Sequence, residues 1–187
     1  MKSKTDVYKF EESNSSDWDE FVNNASNGTL FHTRKFISYH PQDRFQDHSI
    51  YFHKKGKYYA VFPSAVIHTK NGELLHSHPG TTIGGFVTRT SLSLRGSFDL
   101  VTSLVQYAQR KNFSAIRVTL PPDCYSEIPS NYLEFALLKI GFTYLKKEVS
   151  NIMTLPINVE EIIRKLKPSH RQAVRKAEKE GVRIKRS

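Results

Sequence analysis

The run His48–His78, "HSIYFHKKGKYYAVFPSAVIHTKNGELLHSH", constrains the fold more than any other stretch. Its β-branched and aromatic residues come in short blocks, broken at Lys55-Gly56 and at Asn71-Gly72. Asn-Gly between two such blocks is a strong short-range hairpin signal, because the tight turn needs residues that tolerate positive φ. The pattern predicts a meander of three strands. A sheet with an apolar face must be covered, and the chain beyond offers a cover. "SFDLVTSLVQYAQRKNF" places Leu100, Val101, Leu104, Val105 and Ala108 at helical spacing behind a Ser97 cap. "SAIRVTLPP" then reads as a strand ended by its two prolines.

The flanks follow the same logic. "DVYKF" alternates as a first strand, and "SSDWDEFVNNASNGT" reads as a short helix capped by Ser15 or Ser16 and stopped at Gly28. In "FHTRKFISYHP" Thr33 is the expected N-cap and Pro41 lies just past the end. "PSNYLEFALLKIGF" runs from Pro129 to Gly141, the proline-first, glycine-last asymmetry of helices. "FTYLKKEVSNIMTLPI" reads as one or two strands, and "NVEEIIRKL" as a helix capped by Asn158. A last helix, "HRQAVRKAEKEG", is expected between a Ser169 cap and a Gly181 stop, with "VRIKR" opening a further strand. Helices alternating with strands around a mixed sheet give an α+β or mixed α/β class.

Charge is uneven. The chain carries +10 overall, yet residues 160–187 hold ten Lys/Arg and four Glu, a net of +6. Such a field favours phosphates, nucleic acid or an anionic membrane, although a solvated helix face has the same composition. The final helix offers only Ala173, Val174 and Ala177 as an apolar reverse face, too little for membrane docking. No run of about 18 apolar residues and no apolar leader core occurs, and the one cysteine, Cys124, cannot form an intramolecular disulfide. These features predict a cytoplasmic protein.

The ordered set "GTLFHTRKFISYH", "FPSAVI", "SHPGTTIGGFV", "LVQYAQRKNFSAIRVTLPP", "LLKIGF" and "LKPSHRQAVRKAEKEGV" resembles the Fem-type acyltransferases, a branch of the GNAT-like superfamily. In the last segment the resemblance rests on Arg171 with Val174 and Ala177 three and six residues on. The family's chains look like two GNAT-like lobes. The resemblance implies a first lobe over 1–157, with a central mixed sheet flanked by helices, and basic linker helices over 158–187 that begin a second lobe. The chain is then either a piece of a longer enzyme or a half-length relative that would need a partner chain or a homodimer. The implied activity is acyl or aminoacyl transfer to an amine or hydroxyl, with a role in peptidoglycan or cell-envelope synthesis. The implied donor is acyl-CoA or aminoacyl-tRNA, no cofactor is held covalently, and the acceptor is a phosphorylated small molecule. The protein would supply positioning and oxyanion stabilisation.

The resemblance also implies site residues. Arg171 matches a residue that grips a diphosphate, and Arg175 lies one turn away on the same face. His40 stands where the family usually has a phosphate-binding lysine, and at neutral pH it is a poorer charge. His32 replaces a family Gln, and Tyr125 matches a position near the cleft. Read from the residues alone, "PGTTIGG" with Gly84 and Gly85 offers backbone N–H groups for a nest or cleft wall, and equally a structural turn. It lacks the Gly-Lys-Ser/Thr of a P-loop. His76 and His78 share one strand face, but no third metal ligand is evident, so no metal is expected. Cys124 has no partner base at suitable spacing. Trp18 reads as a core anchor. No catalytic residue is assigned. The rival reading is a non-catalytic phosphate- or nucleic-acid-binding module that uses the basic C-terminal helix on tRNA or DNA.

Overall fold

The computed structural model describes residues 5–41 and 43–185. They fall into two compact units that divide after Glu148. The first unit begins with β1 (Thr5–Lys9), α1 (Ser15–Asn23) and the short α2 (Arg34–Ile37). Then come β2 (Gln46–Asp47), β3 (Ile50–Lys54), β4 (Lys57–Phe62), β5 (Ala65–Thr69), β6 (Gly72–Ser77) and β7 (Val87–Thr88). α3 (Leu94–Arg110), β8 (Ala115–Val118) and α4 (Tyr132–Ile140) complete it.

The expected three-strand meander is four full strands, and they are shared between two sheets. One sheet has the order β1-β3-β4-β7 and the other β2-β5-β6-β8. The division falls at Pro63-Ser64, where proline removes a ladder donor. Side chains stitch the gap: Ser64 Oγ donates to His48 O at 2.6 Å, and Ser64 N–H donates to Ser49 Oγ at 3.2 Å. β2–β3 and β4–β5 therefore pass as one antiparallel ribbon from one sheet into the other. β6 and β8 pair in parallel across the α3 crossover, which makes the fold mixed.

α3 covers the sheets as its spacing predicts. Leu100, Val101 and Leu104 are fully buried and pack with Ile50, Phe52, Phe62, Leu75 and Phe86. A buried leucine here contributes about 1.5–3 kcal/mol, and Leu104→Ala would cost about 2–5 kcal/mol. Trp18, Phe21 and Val22 of α1 close a second cluster with Phe10, Val61 and Val87. Trp18 Nε1 donates to His32 O at 2.8 Å, so the core anchor is also satisfied.

Several boundaries differ from the sequence reading. α1 ends at Asn23, not Gly28, because the Asn24 side chain donates to Glu20 O at 2.8 Å and closes the last turn. Its N-cap is Asn14 rather than Ser15 or Ser16. α3 is capped by Ser93, whose Oγ accepts from Gly96 N–H, and Ser97 lies inside the helix. α4 begins at Tyr132, after Pro129, but its stop at Gly141 is as expected, with φ +108°. No strand forms over 142–157. A strand needs a neighbour's ladder, and here Leu145 and Val149 are 77% and 91% exposed.

The second unit has an irregular start, then α5 (Val159–Lys165) and α6 (Pro168–Lys179). Asn158 Oδ1 accepts from Glu160 N–H at 2.9 Å, the predicted cap. α6 opens on Pro168 itself, not on a Ser169 cap, since an N1 proline forfeits no bond. Gly181 at φ +75° ends it. Residues 182–185 are not a strand, since no neighbouring ladder pairs with them among the described residues, and Arg186 lies outside the described residues.

Candidate functional site

In the first unit a groove of about 510 Å³ opens at the start of α4. Asn131 and Tyr132, the cap and first residue of α4, line it with Ser130, Ile128 and Asp123. Ser91, in the loop that enters α3, forms part of the wall. Asn131 makes no side-chain cap bond, and Ser130 Oγ takes only the Tyr132 N–H, at 3.3 Å. The early N–H groups of α4 therefore face a space large enough for a ligand. Helix N-termini carry partial positive charge and open donors, so this end suits an anionic group such as phosphate. Asp123 adds an acceptor for hydroxyl or N–H donors, and its carboxylate opposes an anion on its side of the groove. The sequence reading missed this groove. Its signal was Pro129-Ser130-Asn131 ahead of an apolar helix, an entry motif that also marks an anion-ready terminus.

Of the predicted residues, Tyr125 sits in the 3₁₀ turn Asp123–Tyr125 beside the groove and is half exposed. Gly84 and Gly85 are buried, and their N–H groups are spent within the fold. Gly84 donates to Thr119 O at 3.1 Å, and Gly85 to Ser77 Oγ at 3.1 Å. Gly85 is at φ +83°, the backbone reason for a glycine there. Gly84 O meets His32 Nε2 at 3.1 Å, so His32 staples the glycine loop to the α1–α2 segment. Burial pushes the His32 imidazole below its ordinary range, and the Gly84 bond opposes this.

His40 follows α2 and meets the same loop four residues earlier, at Gly80. Its Nε2 lies 2.8 Å from Gly80 O, and Gly80 N–H donates to His78 Nδ1 at 3.2 Å. One glycine thus holds both imidazoles. A Cβ at Gly80 would lie 2.5 Å from His40 Nε2 and 2.6 Å from the Phe45 ring, so any other residue there would displace these side chains. The rings stack nearly parallel, 6.5 Å apart. The bonds to Gly80 fix the protons: His40 carries its own on Nε2, and neutral His78 carries its own on Nε2. Burial drives His78 down to about 4; Asp47 opposes, while Arg34, His40 and His76 add to the fall. Among the described residues, His40 Nδ1 and His78 Nε2 are both buried without a hydrogen-bond partner. Such groups cost about 1–3 kcal/mol each unless water or a ligand satisfies them. Among the described residues no third ligand joins His76 and His78 in a cluster that could hold a metal.

Arg171 and Arg175 belong to the second unit. Arg171 shares a half-covered stripe of α6 with Val174 and Ala177, while Arg175 is exposed. No ion pair engages either among the described residues. Cys124 is exposed. No helix among the described residues is long and apolar enough to cross a membrane.

No protein-family model matches the chain, and no characterised protein matches it by sequence. Solved structures do. A possible acetyltransferase from Clostridium difficile 630 superposes with TM-score 0.50 at 10% identity, over 82% of this chain and 99% of its own. The aminoglycoside N-acetyltransferase AAC(6')-Iy, solved in complex with CoA, gives 0.49 at 12% identity, over 83% and 98%. A GNAT family acetyltransferase from Staphylococcus aureus subsp. aureus USA300_TCH1516 gives 0.47 at 11%, over 80% and 99%. At these identities the likeness concerns the fold alone: the chain has a mixed α/β fold similar to that of the possible acetyltransferase from Clostridium difficile 630.

Proposed function

We propose that the chain is an acyltransferase lobe that moves an acyl group from a phosphate-bearing activated donor to an amine or hydroxyl. The observation that carries this reading is the groove at the α4 N-terminus, on an acetyltransferase fold. With acyl-CoA as donor, the α4 N–H groups and Ser130 would hold phosphate. The acceptor's lone pair attacks the thioester carbonyl, the new C–N or C–O bond forms, and the C–S bond breaks. The acceptor's proton leaves to a base and the thiolate takes one up. The finer reading is a Fem-type first lobe that binds a phosphorylated acceptor, with Arg171 and Arg175 gripping phosphate and aminoacyl-tRNA as the alternative donor. It is supported by the ordered motifs of the sequence. In that setting a second lobe, partner chain or homodimer supplies the remaining groups.

Calorimetric titration with CoA tests the groove. Wild type should bind, and Ser130→Asp should weaken CoA at least about tenfold by charge repulsion while leaving α4 intact, since acids stabilise a helix N-terminus. Failure of the wild type to bind either CoA or charged tRNA would defeat the proposal.

A further inference from the structure

The sheet β1-β3-β4 sorts its charges by face. Register places Asp6 opposite His53, Tyr8 opposite Tyr51, and His53 opposite Tyr58. Side chains alternate along a strand, so Asp6, Tyr8, Tyr51, His53 and Tyr58 share one face. Lys9, Lys54 and Lys57 fall on the other, where Lys54 Nζ lies over the Tyr59 ring at 4.9 Å. α1 covers the aromatic face around Val61 and also packs against Tyr51 and Tyr58, where Phe21 lies 5.7 Å from the Tyr58 ring. The face carries a continuous set of rings. Tyr8 and Tyr51 stack at 5.4 Å, Tyr51 and Tyr58 lie 5.1 Å apart, and His53 meets Tyr51 at 5.0 Å and Tyr58 at 4.7 Å.

Its surroundings are acidic in a basic protein. Residues 5–20 contain six Asp or Glu and one Lys. Asp6, Glu11 and Asp17 are exposed, and each lies near enough to act electrostatically on His53, Tyr51 or Tyr58 respectively. Arg89, over the Phe21 ring at 5.8 Å, is the basic group packed beside this face. Among the described residues, His53 Nε2 is buried without a partner.

We propose that the exposed edge of this face, at Tyr8 and Asp6, binds a small organic cation of the alkylammonium class. Aromatic faces attract cations through their quadrupoles, and the exposed carboxylates supply the net charge. The size argues against a protein partner. Only Tyr8, 46% exposed, presents a large accessible surface, whereas a stable protein interface needs about 800 Å² per side.

Calorimetry with spermidine and with tetramethylammonium chloride, against potassium chloride of equal ionic strength, tests this. Saturable one-site binding is expected, with amide shift changes in β1, β3 and β4. Tyr8→Leu and Asp6→Asn should each weaken binding about threefold, and Tyr8→Phe should bind as wild type does. Melting temperatures of the variants verify that the sheet is intact. Absence of saturable binding overturns the proposal. So does binding unchanged in the Tyr8→Leu/Asp6→Asn double variant, or displacement by Mg²⁺ with no tetramethylammonium binding.

Discussion

His78 makes the fold sensitive to acid in a way that can be isolated. In the native state its imidazole is held neutral down to about 4, chiefly by burial, against an ordinary value of 6.5. The unfolded chain therefore binds this proton more readily than the folded one between those values. Its contribution to stability is complete above pH 6.5 and declines as the pH falls toward 4. At 1.36 kcal/mol per pH unit, the full loss is on the order of 3 kcal/mol, and about 2 kcal/mol of it is spent between pH 7 and pH 4.5. In His78→Gln the amide oxygen can still accept the Gly80 N–H, and there is nothing to titrate. Trp18, the single tryptophan and fully buried, reports unfolding of the first unit. Urea titrations of both proteins at pH 7 and pH 4.5 should show wild type losing about 2 kcal/mol more than the variant. His32, His48, His53 and His76 are also lowered, but they are present in both proteins and cancel. Equal losses, within about 0.5 kcal/mol, would refute a buried neutral His78.

Gly84→Ala should destabilise by about 1–3 kcal/mol in the same assay, because its Cβ would meet backbone atoms of Ser77 and His78 at 3.0 Å. Asp47→Asn should cost about 1–3 kcal/mol at neutral pH. Although burial alone would raise the Asp47 carboxyl, Arg34 and Ser49 outweigh it and hold it below the ordinary range. That part of the stability is lost as pH falls through the lowered folded value, and the variant should lack this acid-limb dependence in a pH titration of stability. Arg171→Ala and Arg175→Ala should weaken a phosphorylated acceptor without lowering the melting temperature. If α6 binds tRNA instead, each should reduce the slope of log affinity against log salt by about one.

Much of the architecture was legible because periodicity is local. The α3 stripe, the Thr33 and Asn158 caps, the Gly141 and Gly181 stops and the two hairpin breaks are each dictated by neighbours within a few residues. What only the tertiary structure decided involves distant partners. Pro63 announces a break, but not that the ribbon passes from one sheet into a second there. "FTYLKKEVSNIMTLPI" reads as one or two strands, yet a ladder is made by two segments and, among the described residues, none pairs with it. Gly80 looks like any turn glycine until His40 and His78 close on its two polar atoms from opposite sides. The acidic residues near the start look like a solvated helix entry, until the register of β1 against β3 sets Asp6 and Tyr8 beside His53 and Tyr51. Backbone preferences and hydrophobic spacing are properties of a short segment and can be read from it. A site is a convergence of segments far apart in the chain, and only packing determines which of them meet.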